Sequence, residues 1–358
     1  MQNKTKISLN FIQNPSVLII RLSSIGDIIL TTHIPRLLRN KFPNSKIDYL
    51  TFNSYVQLLQ FNPRIDNLLS IEKQSVKTNE INIYTSKNEQ ILDLKKYDII
   101  IDLQNNKYSH KILSNFNLFR NSEILSFNKN RLHKLALVYL KKGLINNFNI
   151  PEEYLKTVSK LNIQNDELGL ELWFEGEKEY TPFFKNNNYN NLSTICIAPG
   201  AAHKTKQWLP DRFSKLIKVI KEKYNSEIIL LGGKNEIELN KQIQFASGVA
   251  INNYTGQLSL LETAKYIDSS DLLVCNDTGL MHIAAARKVP IITIFGSSVK
   301  ELGFSPYKTK FKIVEKNLWC RPCSHIGRSF CPLGNFNCMK LIEVQDVINE
   351  IERLIFKQ

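Results

Sequence analysis

The feature that most constrains the fold is an apolar, strand-like run that passes directly into a polar turn and a helix. Leu272–Val274 is the apolar run, and Asn276–Gly279 is the turn. At such a junction the first amide N–H groups of the helix have no intrahelical acceptor, and the helix dipole adds partial positive charge. A diphosphate could bind there, and Gly279 would let it approach the backbone closely. The alternative is that Asp277 or Thr278 only caps a buried helix.

A second junction of the same kind lies near the N-terminus. Val17–Ile20 predicts a short strand, Ser23–Asp27 a tight turn, and the apolar residues of segment 28–38 a helix. Ligands of open α/β sheets bind beyond the carboxyl ends of the strands, so both junctions suit the same kind of site. Taken alone, the position of Asp27 at the start of a helix favours a capping role.

Strands and helices alternate through both halves of the 358-residue chain, which predicts an α/β protein with two Rossmann-like domains. No G-x-G-x-x-G follows the first strand, which argues against a nicotinamide enzyme. The predicted parts are a polar N-terminal extension (1–14), an N-terminal domain (15–165), a linker (166–191), a C-terminal domain (192–340) and an amphipathic helix (341–358).

The net charge of +14 is unevenly distributed along the sequence. Residues 1–165 carry a net charge of +11, and the excess is concentrated in Lys107–Lys142, where Glu123 is the one acidic residue. We expect this region to be helical from about Ser109 and to meet an anionic partner. Nucleic acid is not expected, because no zinc-finger, helix-turn-helix or RNP signature is present. Glycolipid and lipid headgroups remain as partners, and a merely solvated basic face is the alternative.

No apolar run approaches the roughly 20 residues that span a bilayer. The N-terminal residues also lack the apolar core of a signal peptide. We therefore expect a cytoplasmic protein.

Three motifs in a fixed order are more specific than any one of them. They are Ser23–Asp27 (SSIGD), Lys206–Trp208 (KQW) and Asn276–His282 (NDTGLMH). With the sequence around them, from Val17 to Ile348, they resemble glycosyltransferase family 9, the lipopolysaccharide heptosyltransferases. The resemblance implies a GT-B fold, in which two Rossmann-like domains face a central cleft.

The resemblance also implies a reaction. It is the inverting transfer of a heptose from ADP-L-glycero-D-manno-heptose to the lipopolysaccharide inner core. No Asp-x-Asp, the usual metal-binding pair of metal-dependent transferases, occurs in the sequence. We therefore expect a metal-independent enzyme whose leaving group is stabilised by cations and helix dipoles.

Residue roles follow from the resemblance. Asp27 corresponds to the catalytic base, Lys206 to the lysine on the donor phosphates, and Glu236 to the acidic residue on the ribose. The remaining predicted donor-site residues are Lys204, Asp277, Thr278, Gly279 and His282. From the residues alone, other interpretations stay open: Glu236 in the first turn of a helix, His282 in close packing, and Trp208 in the core with solvated lysines around it.

The acceptor site is predicted in the N-terminal half, around the turn of Asp27 and the basic region. It would bind an anionic glycolipid, the lipid A inner core, with the enzyme in peripheral contact with the inner leaflet of the inner membrane. The loop Asp102–Gln104 lies at the position where, by the resemblance, family members contact the acidic inner-core sugar. The predicted acceptor-site residues are Ser24, Gly26, Lys107, Lys111, Arg131 and His133.

Four cysteines form a C-x2-C-x7-C-x6-C pattern: Cys320, Cys323, Cys331 and Cys338. One C-x2-C pair is half of a common zinc signature. A structural zinc site, unligated structural thiols and redox chemistry all remain open, and none is expected to be a catalytic cofactor. Disulfides are not expected in a reducing compartment.

Two other classes of function remain. One is a different GT-B enzyme, either a transferase that uses another nucleotide sugar or a nucleotide-sugar epimerase. The other is a non-catalytic protein that binds a glycolipid or nucleotide, although the presence of both Asp27 and Lys206 argues against it.

Overall fold

The computed structural model describes residues 13–78, 80–85, 89–91, 97–116, 122–182 and 192–356. The chain divides into two compact units and passes between them three times. The first unit contains the described residues up to Lys129, together with Ile150–Glu177. The second contains Asn130–Asn149 and the described residues from Lys178 onward.

The first unit is built on a sheet with the strand order β5-β4-β3-β2-β1-β6-β7 in the described residues. Its strands are β1 Val17–Ile20, β2 Ile47–Phe52, β3 Asn67–Ile71, β4 Ile83–Thr85, β5 Gln90–Ile91, β6 Ile99–Asp102 and β7 Glu123–Ser126. β4 runs antiparallel to both of its neighbours, and the other pairs are parallel. The helices of this unit are α1 Ile25–Ile29, α2 His33–Lys41, α3 Lys73–Thr78, α4 Lys107–Asn115 and α6 Ile150–Thr157, with 3₁₀ turns at Asn53–Leu58 and Ser159–Leu161.

The second unit has a wholly parallel sheet with the order β10-β9-β8-β11-β12-β13 in its described part. The strands are β8 Thr194–Ala198, β9 Glu227–Leu230, β10 Asn252–Asn253, β11 Leu272–Asn276, β12 Ile291–Ile294 and β13 Phe311–Val314. The helices are α5 Arg131–Leu140, α7 Pro210–Tyr224, α8 Ile237–Ser247, α9 Leu260–Asp268, α10 Gly279–Ala286, α11 Asn337–Lys340 and α12 Val344–Ile355. Three 3₁₀ turns lie at Lys204–Lys206, Lys234–Glu236 and Lys300–Leu302.

The central strands β1, β6, β8 and β11 are nearly continuous apolar runs, as expected for parallel strands covered on both faces. Each unit has its own apolar core. The amphipathic helix predicted at the C-terminus forms as α12, which packs against β13 and α7 as part of the second unit. The prediction of two Rossmann-like α/β domains is confirmed.

The predicted basic helical region is not one helix. It contains α4 and α5, with the strand β7 between them. β7 has two half-buried residues, one buried and one exposed, so its weak apolar pattern did not reveal it. α4 belongs to the first unit and α5 to the second. The helix expected after Asp27 is likewise divided into α1 and α2, with the hydroxyls of Thr31 and Thr32 donating to backbone carbonyls at the break.

The boundary expected in segment 166–191 also differs from the observed division. Residues up to Glu177 pack with the first unit, because the buried Arg36 forms ion pairs with Asp166 and Glu171 at 2.6 Å each. Residues 183–191 and the first twelve residues of the predicted N-terminal extension lie outside the described residues.

This division reverses the expected distribution of charge. The sequence assigned to the first unit has 19 basic and 17 acidic residues, a net charge of +2. The sequence assigned to the second has 28 basic and 16 acidic residues, a net charge of +12. The reason is that 130–149 joins the second unit, while the acid-rich segment 150–177 returns to the first. Among the described residues, no helix is both long and apolar enough to cross a membrane.

Candidate active site

Asp27 lies at the third position of α1, just beyond the carboxyl end of β1. Its Oδ2 atom accepts hydrogen bonds from the Ser24 backbone N–H (3.3 Å) and the Ser24 hydroxyl (3.0 Å). The carboxylate therefore has the predicted capping role, yet a quarter of its side chain stays exposed. Ser24 is exposed beside it and Gly26 is buried. Capping and reaction with a ligand are compatible at this position.

The buried Arg21 holds the Asp27 carboxylate. Nη2 of Arg21 lies 2.8 Å from Oδ2 of Asp27, while Nε and Nη1 donate to the carbonyls of Ser23 (2.8 Å) and Leu103 (2.6 Å). Burial is the largest single influence and lowers the pKa of Arg21, but the charge and hydrogen bond of Asp27, together with the nearby Tyr154 and Tyr49, raise that pKa above its ordinary value. A guanidinium with these backbone contacts cannot rotate away from the carboxylate without losing several hydrogen bonds.

Tyr154, from α6, completes this network. The Arg21 guanidinium lies 5.5 Å from the centre of its ring, and its hydroxyl lies 3.5 Å from Oδ1 of Asp27. Burial raises the pKa of Tyr154 well above its usual value, so the phenol stays protonated. Sequence reasoning missed both Arg21 and Tyr154. Arg21 could have been noticed as a cation directly after a buried strand, but no local signal identifies Tyr154, which is 127 residues from Asp27.

The loop Asp102–Gln104 forms hydrogen bonds to the backbone just before the Asp27 turn. The Gln104 side-chain carbonyl accepts from the N–H groups of Leu22 (3.0 Å) and Ser23 (3.3 Å). Asp102 in turn accepts from the Gln104 N–H and the Ser109 hydroxyl, and burial raises the pKa of its carboxyl group. These contacts shape the Asp27 turn, so the loop supports it, and the acceptor contact expected of the loop stays a prediction.

In the second unit, Lys206 and Asp277 form an ion pair of 2.7 Å between Nζ and Oδ2. Lys206 ends the 3₁₀ turn after β8, and Asp277 directly follows β11. β8 and β11 are neighbours in register, so their carboxyl ends meet at one edge of the sheet. The two predicted donor-site residues are therefore brought together, with Lys206 17% exposed. Lys204, two residues earlier, is exposed.

Asn276 and Trp208 fix this loop. The Asn276 carboxamide accepts a hydrogen bond from the backbone N–H of Trp208 (3.1 Å) and donates one to the Pro199 carbonyl (2.5 Å). The Trp208 indole is buried, and its N–H donates to the Ile342 carbonyl at 3.1 Å. The core interpretation of Trp208 is thus correct, and it is compatible with a functional Lys206, because the anchored ring leaves the lysine at the surface.

Glu236 lies at the same edge of the sheet, in the 3₁₀ turn that follows β9. Its Oε2 accepts from the Gly233 N–H at 2.7 Å, and burial raises the pKa of its carboxyl group, an effect that this bond opposes. A Cβ atom on Gly200 would lie 1.6 Å from Oε1 of Glu236, so only glycine leaves room for the carboxylate there. Sequence analysis did not single out Gly200.

The start of α10 agrees with the predicted helix junction. Thr278 is the extended N-cap residue, and Gly279 is the first helical residue. Both are half-buried, so the first turn of the helix is reachable. His282, by contrast, is only 4% exposed, which favours the packing interpretation for that side chain.

The predicted acceptor-site residues do not come from one unit. Lys107 and Lys111 are on α4 of the first unit, whereas Arg131 and His133 are on α5 of the second. His133 is buried, and its Nδ1 atom accepts from the N–H groups of Leu144 and Ile145, at 3.0 Å each. Its Nε2–H donates to the Glu301 carbonyl at 3.2 Å. Both ring nitrogens form hydrogen bonds within the second unit, so the structure does not support the expected contact of His133 with the sugar acceptor.

The cysteine segment supports the donor loop through its backbone. Thr205 and Arg328 exchange two hydrogen bonds: the Thr205 N–H donates to the Arg328 carbonyl (3.1 Å), and the Arg328 N–H donates to the Thr205 hydroxyl (2.8 Å). The Ser297 hydroxyl also donates to that of Thr205 at 3.0 Å. Sequence reasoning did not anticipate this connection.

The four cysteines of the segment form no disulfide in the structure, with Cys338 buried and the other three half-buried. Burial raises the pKa of Cys338 to about 11. Within the described residues, no group of three or more His, Cys, Asp or Glu side chains is arranged to hold a metal ion. The geometry of the described residues therefore does not fit the candidate zinc site.

Known proteins share this sequence pattern. The chain matches the family model of glycosyltransferase family 9 (heptosyltransferase) over residues 86–333. Lipooligosaccharide heptosyltransferase 2 of Campylobacter jejuni is 25% identical over 341 residues, which cover 92% of this chain and 96% of the relative.

Solved structures share the fold. A family 9 glycosyltransferase from Veillonella parvula gives a TM-score of 0.72 at 18% identity, covering 97% of this chain and 99% of that one. The E. coli ADP-heptose lipopolysaccharide heptosyltransferase II gives 0.68 at 19% identity, covering 96% and 99%. With the two α/β units, each built on a mainly or wholly parallel sheet, these likenesses establish the GT-B fold. The chain belongs to glycosyltransferase family 9, the heptosyltransferase family, and is a glycosyltransferase.

Proposed function

We propose that this enzyme transfers a heptose from ADP-L-glycero-D-manno-heptose to the lipopolysaccharide inner core, with inversion and without a metal ion. The observation that carries the proposal is the Asp27 carboxylate, partly exposed at the family's Ser-Ser-x-Gly-Asp turn and held there by Arg21. The names of the Campylobacter and E. coli relatives support the sugar, the nucleotide and the acceptor.

In the proposed reaction, Asp27 takes the proton from the acceptor hydroxyl as its oxygen attacks the anomeric carbon of the heptose. The bond from that carbon to the phosphate oxygen breaks, and its electron pair leaves with ADP. General bases of this kind contribute about 10²- to 10⁴-fold to the rate. Arg21 and Ser24 position the carboxylate and do not take part in the proton transfer.

The charge that develops on ADP needs a stabilising partner. Lys206 supplies a cation, and the first turn of α10, at Thr278 and Gly279, supplies backbone N–H groups and the positive end of a helix dipole. Asp277 positions Lys206, and Glu236 would bind the ribose hydroxyls. Since the sequence has no Asp-x-Asp pair, we assign the stabilisation to these groups.

We also propose that the acceptor is the anionic glycolipid of the inner core and that the enzyme acts in the cytoplasm, at the inner leaflet of the inner membrane. The net charge of +14 supports an anionic partner for the whole enzyme, and +12 of it belongs to the sequence of the second unit. Lys107 and Lys111 on the first unit remain the proposed acceptor contacts there, together with Ser24 and Gly26 beside Asp27.

A transfer assay with purified enzyme tests the proposal. ADP-heptose should be consumed in excess EDTA at the same rate as in its absence, and ADP should raise the melting temperature more than UDP, GDP or CDP. Loss of activity in EDTA that magnesium restores would contradict the metal-free mechanism. Turnover of a UDP-sugar instead, or epimerisation without transfer, would identify one of the alternative enzymes.

A further inference from the structure

The exposed apolar side chains of this protein are concentrated in two segments. Thirteen large hydrophobic residues are exposed in the described part of the chain, and nine of them lie in segments 131–149 and 316–340. Both segments belong to the second unit. The nine residues are Leu132, Leu135, Tyr139, Leu140, Leu144, Trp319, Ile326, Phe330 and Leu333. Concentrated apolar exposure of this kind marks an interaction surface.

The helix α5 has apolar residues on its exposed side as well as on its buried side. Its inner face, formed by His133, Ala136 and Leu137, is buried. Leu132 and Tyr139, seven residues apart and therefore on one side of the helix, are 76% and 74% exposed. The helix thus presents a second apolar stripe to the outside, which burial in its own unit does not explain.

The two segments touch each other. The Lys141 ammonium donates to the carbonyl of Pro322 at 2.9 Å and to that of Cys320 at 3.3 Å. Lys134 lies close enough to His325 to lower its pKa, an effect second to that of burial. We call the region formed by these two contacting segments, 131–149 and 316–340, the α5–cysteine surface.

The charge on this surface has one sign. Neither segment contains an aspartate or a glutamate. Segment 131–149 contributes Arg131, Lys134, Lys141 and Lys142, and segment 316–340 contributes Lys316, Arg321, Arg328 and Lys340. Arg321 is buried beside Glu315, and Lys316 pairs with Asp346. The other six cations share the surface with the exposed leucines and aromatic rings.

We propose that the α5–cysteine surface docks the enzyme on an anionic phospholipid bilayer. Leucine, phenylalanine, tyrosine and tryptophan on an exposed face, surrounded by lysine and arginine, combine the two forces that hold peripheral proteins at such a membrane. Tryptophan and tyrosine also favour the boundary between headgroups and acyl chains. A second copy of the chain is the less suitable occupant, because it would bring like charges together.

The proposal deepens the proposed function, on which it rests in one respect: an acceptor embedded in a membrane must be reached at the membrane surface. It is nevertheless tested without transfer. Vesicle binding is measured in the absence of donor and acceptor, so its failure and the failure of heptosyl transfer are distinguishable.

The experiment is flotation of the full-length protein with vesicles. We expect binding to phosphatidylcholine vesicles that contain phosphatidylglycerol, weaker binding to phosphatidylcholine alone, and release by salt, which screens charges over about 10 Å at 0.1 M. Leu132→Gln with Tyr139→Gln should lower the partition coefficient at least ~10-fold, because two apolar side chains leave the interface. Trp319→Gln should lower it by itself, from the other segment.

The matched control is Phe245→Gln on α8 of the same unit, where the ring is 91% exposed but lies outside the surface. It should bind vesicles as the wild type does. All variants should keep the wild-type melting temperature and its shift with ADP, because the replaced side chains are exposed.

Four results would overturn the proposal. The first is equal binding to neutral and anionic vesicles, and the second is an equal loss in the Phe245 control. The third is a change from dimer to monomer in the Leu132/Tyr139 variant, seen by sedimentation, with vesicle binding unchanged, which would assign the surface to a second copy. Displacement from vesicles by deacylated inner-core sugar would instead assign it to acceptor recognition and would also contradict bilayer docking.

Discussion

The two candidate reactive groups, Asp27 in the first unit and Lys206 in the second, are held in different ways. Asp27 is fixed by a buried arginine whose other donors bind backbone carbonyls, and Tyr154 packs over that arginine. Lys206 has an ion pair with one carboxylate, at the end of a loop that is anchored through its neighbours. The difference matches the proposed chemistry: a base needs one orientation, whereas a phosphate-binding cation must exchange its partner when a ligand arrives.

The largest expected effect is the loss of turnover when the Asp27 carboxylate is removed. Asp27→Asn should lower turnover at least ~100-fold, the lower range for loss of a general base, with the ADP-induced melting shift unchanged. The variant also leaves Arg21 without its carboxylate, so we expect a loss of about 1–2 kcal/mol in the free energy of unfolding, discounted because Asp27 is partly exposed.

The control for Asp27→Asn is Asp66→Asn, which breaks the Arg39 ion pair in the same unit. It should leave turnover near the wild-type value, as judged by initial rates at saturating donor. Near-normal turnover in Asp27→Asn would return that carboxylate to a capping role alone.

The second effect tests the exchangeable cation. Lys206→Ala should weaken ADP binding by about 2 kcal/mol, roughly 30-fold, as expected for a charge-assisted contact. Lys204→Ala, two residues away and exposed, should weaken it much less. Titration calorimetry of both variants measures the difference, and equal losses would mean that the loop acts only through its general positive charge.

A smaller effect concerns the acceptor. Reversing Lys107 and Lys111 to Glu should raise the acceptor KM by about 5-fold at low salt and leave ADP affinity unchanged, because exposed charges contribute weakly and are screened. The same change in charge at Lys73 and Lys160, which are both exposed on the first unit, is the control for the exposed Lys107 and the half-buried Lys111. If both double variants raise KM alike, net charge matters and the positions do not.

The smallest effect is expected in the cysteine segment. Cys320→Ser should lower the melting temperature by a few degrees, about 1 kcal/mol, while turnover stays within about 2-fold. The segment supports the donor loop through the backbone contacts of Thr205 and Arg328, which a serine at position 320 leaves in place. Elemental analysis should find no stoichiometric zinc, as expected if the described geometry does not hold the ion. Normal melting with lost activity would place the thiols in the chemistry.

Local patterns in the sequence predicted the parts of the site that are local in the fold. β8, β11 and the turns after them are recognisable because each apolar run ends directly at its polar residues, and adjacent parallel strands bring Lys206 and Asp277 together. The contact of Arg21 with Tyr154 was not predictable in this way, since it depends on how α6 returns to the first sheet.

The assignment of α5 to the second unit was hidden for the same reason. Its buried positions show that it packs on something, but no pattern within ten residues specifies which sheet it joins. Its basic residues were therefore counted with the N-terminal half of the sequence, although α5 belongs to the second unit.

The path of the chain through the two units has a consequence for biosynthesis. α5 leaves the ribosome long before its packing partners. The Glu301 carbonyl, which accepts a hydrogen bond from His133, lies 168 residues after His133, and the Pro322 carbonyl, which accepts one from Lys141, lies 181 residues after Lys141. During synthesis the first unit can therefore be completed by segment 150–177 before the second unit exists. The amphipathic, basic helix α5, which lies in the sequence between the two parts of the first unit, then has no packing partner. Such an intermediate would be open to chaperones, or to the lipid surface itself, before the second unit exists.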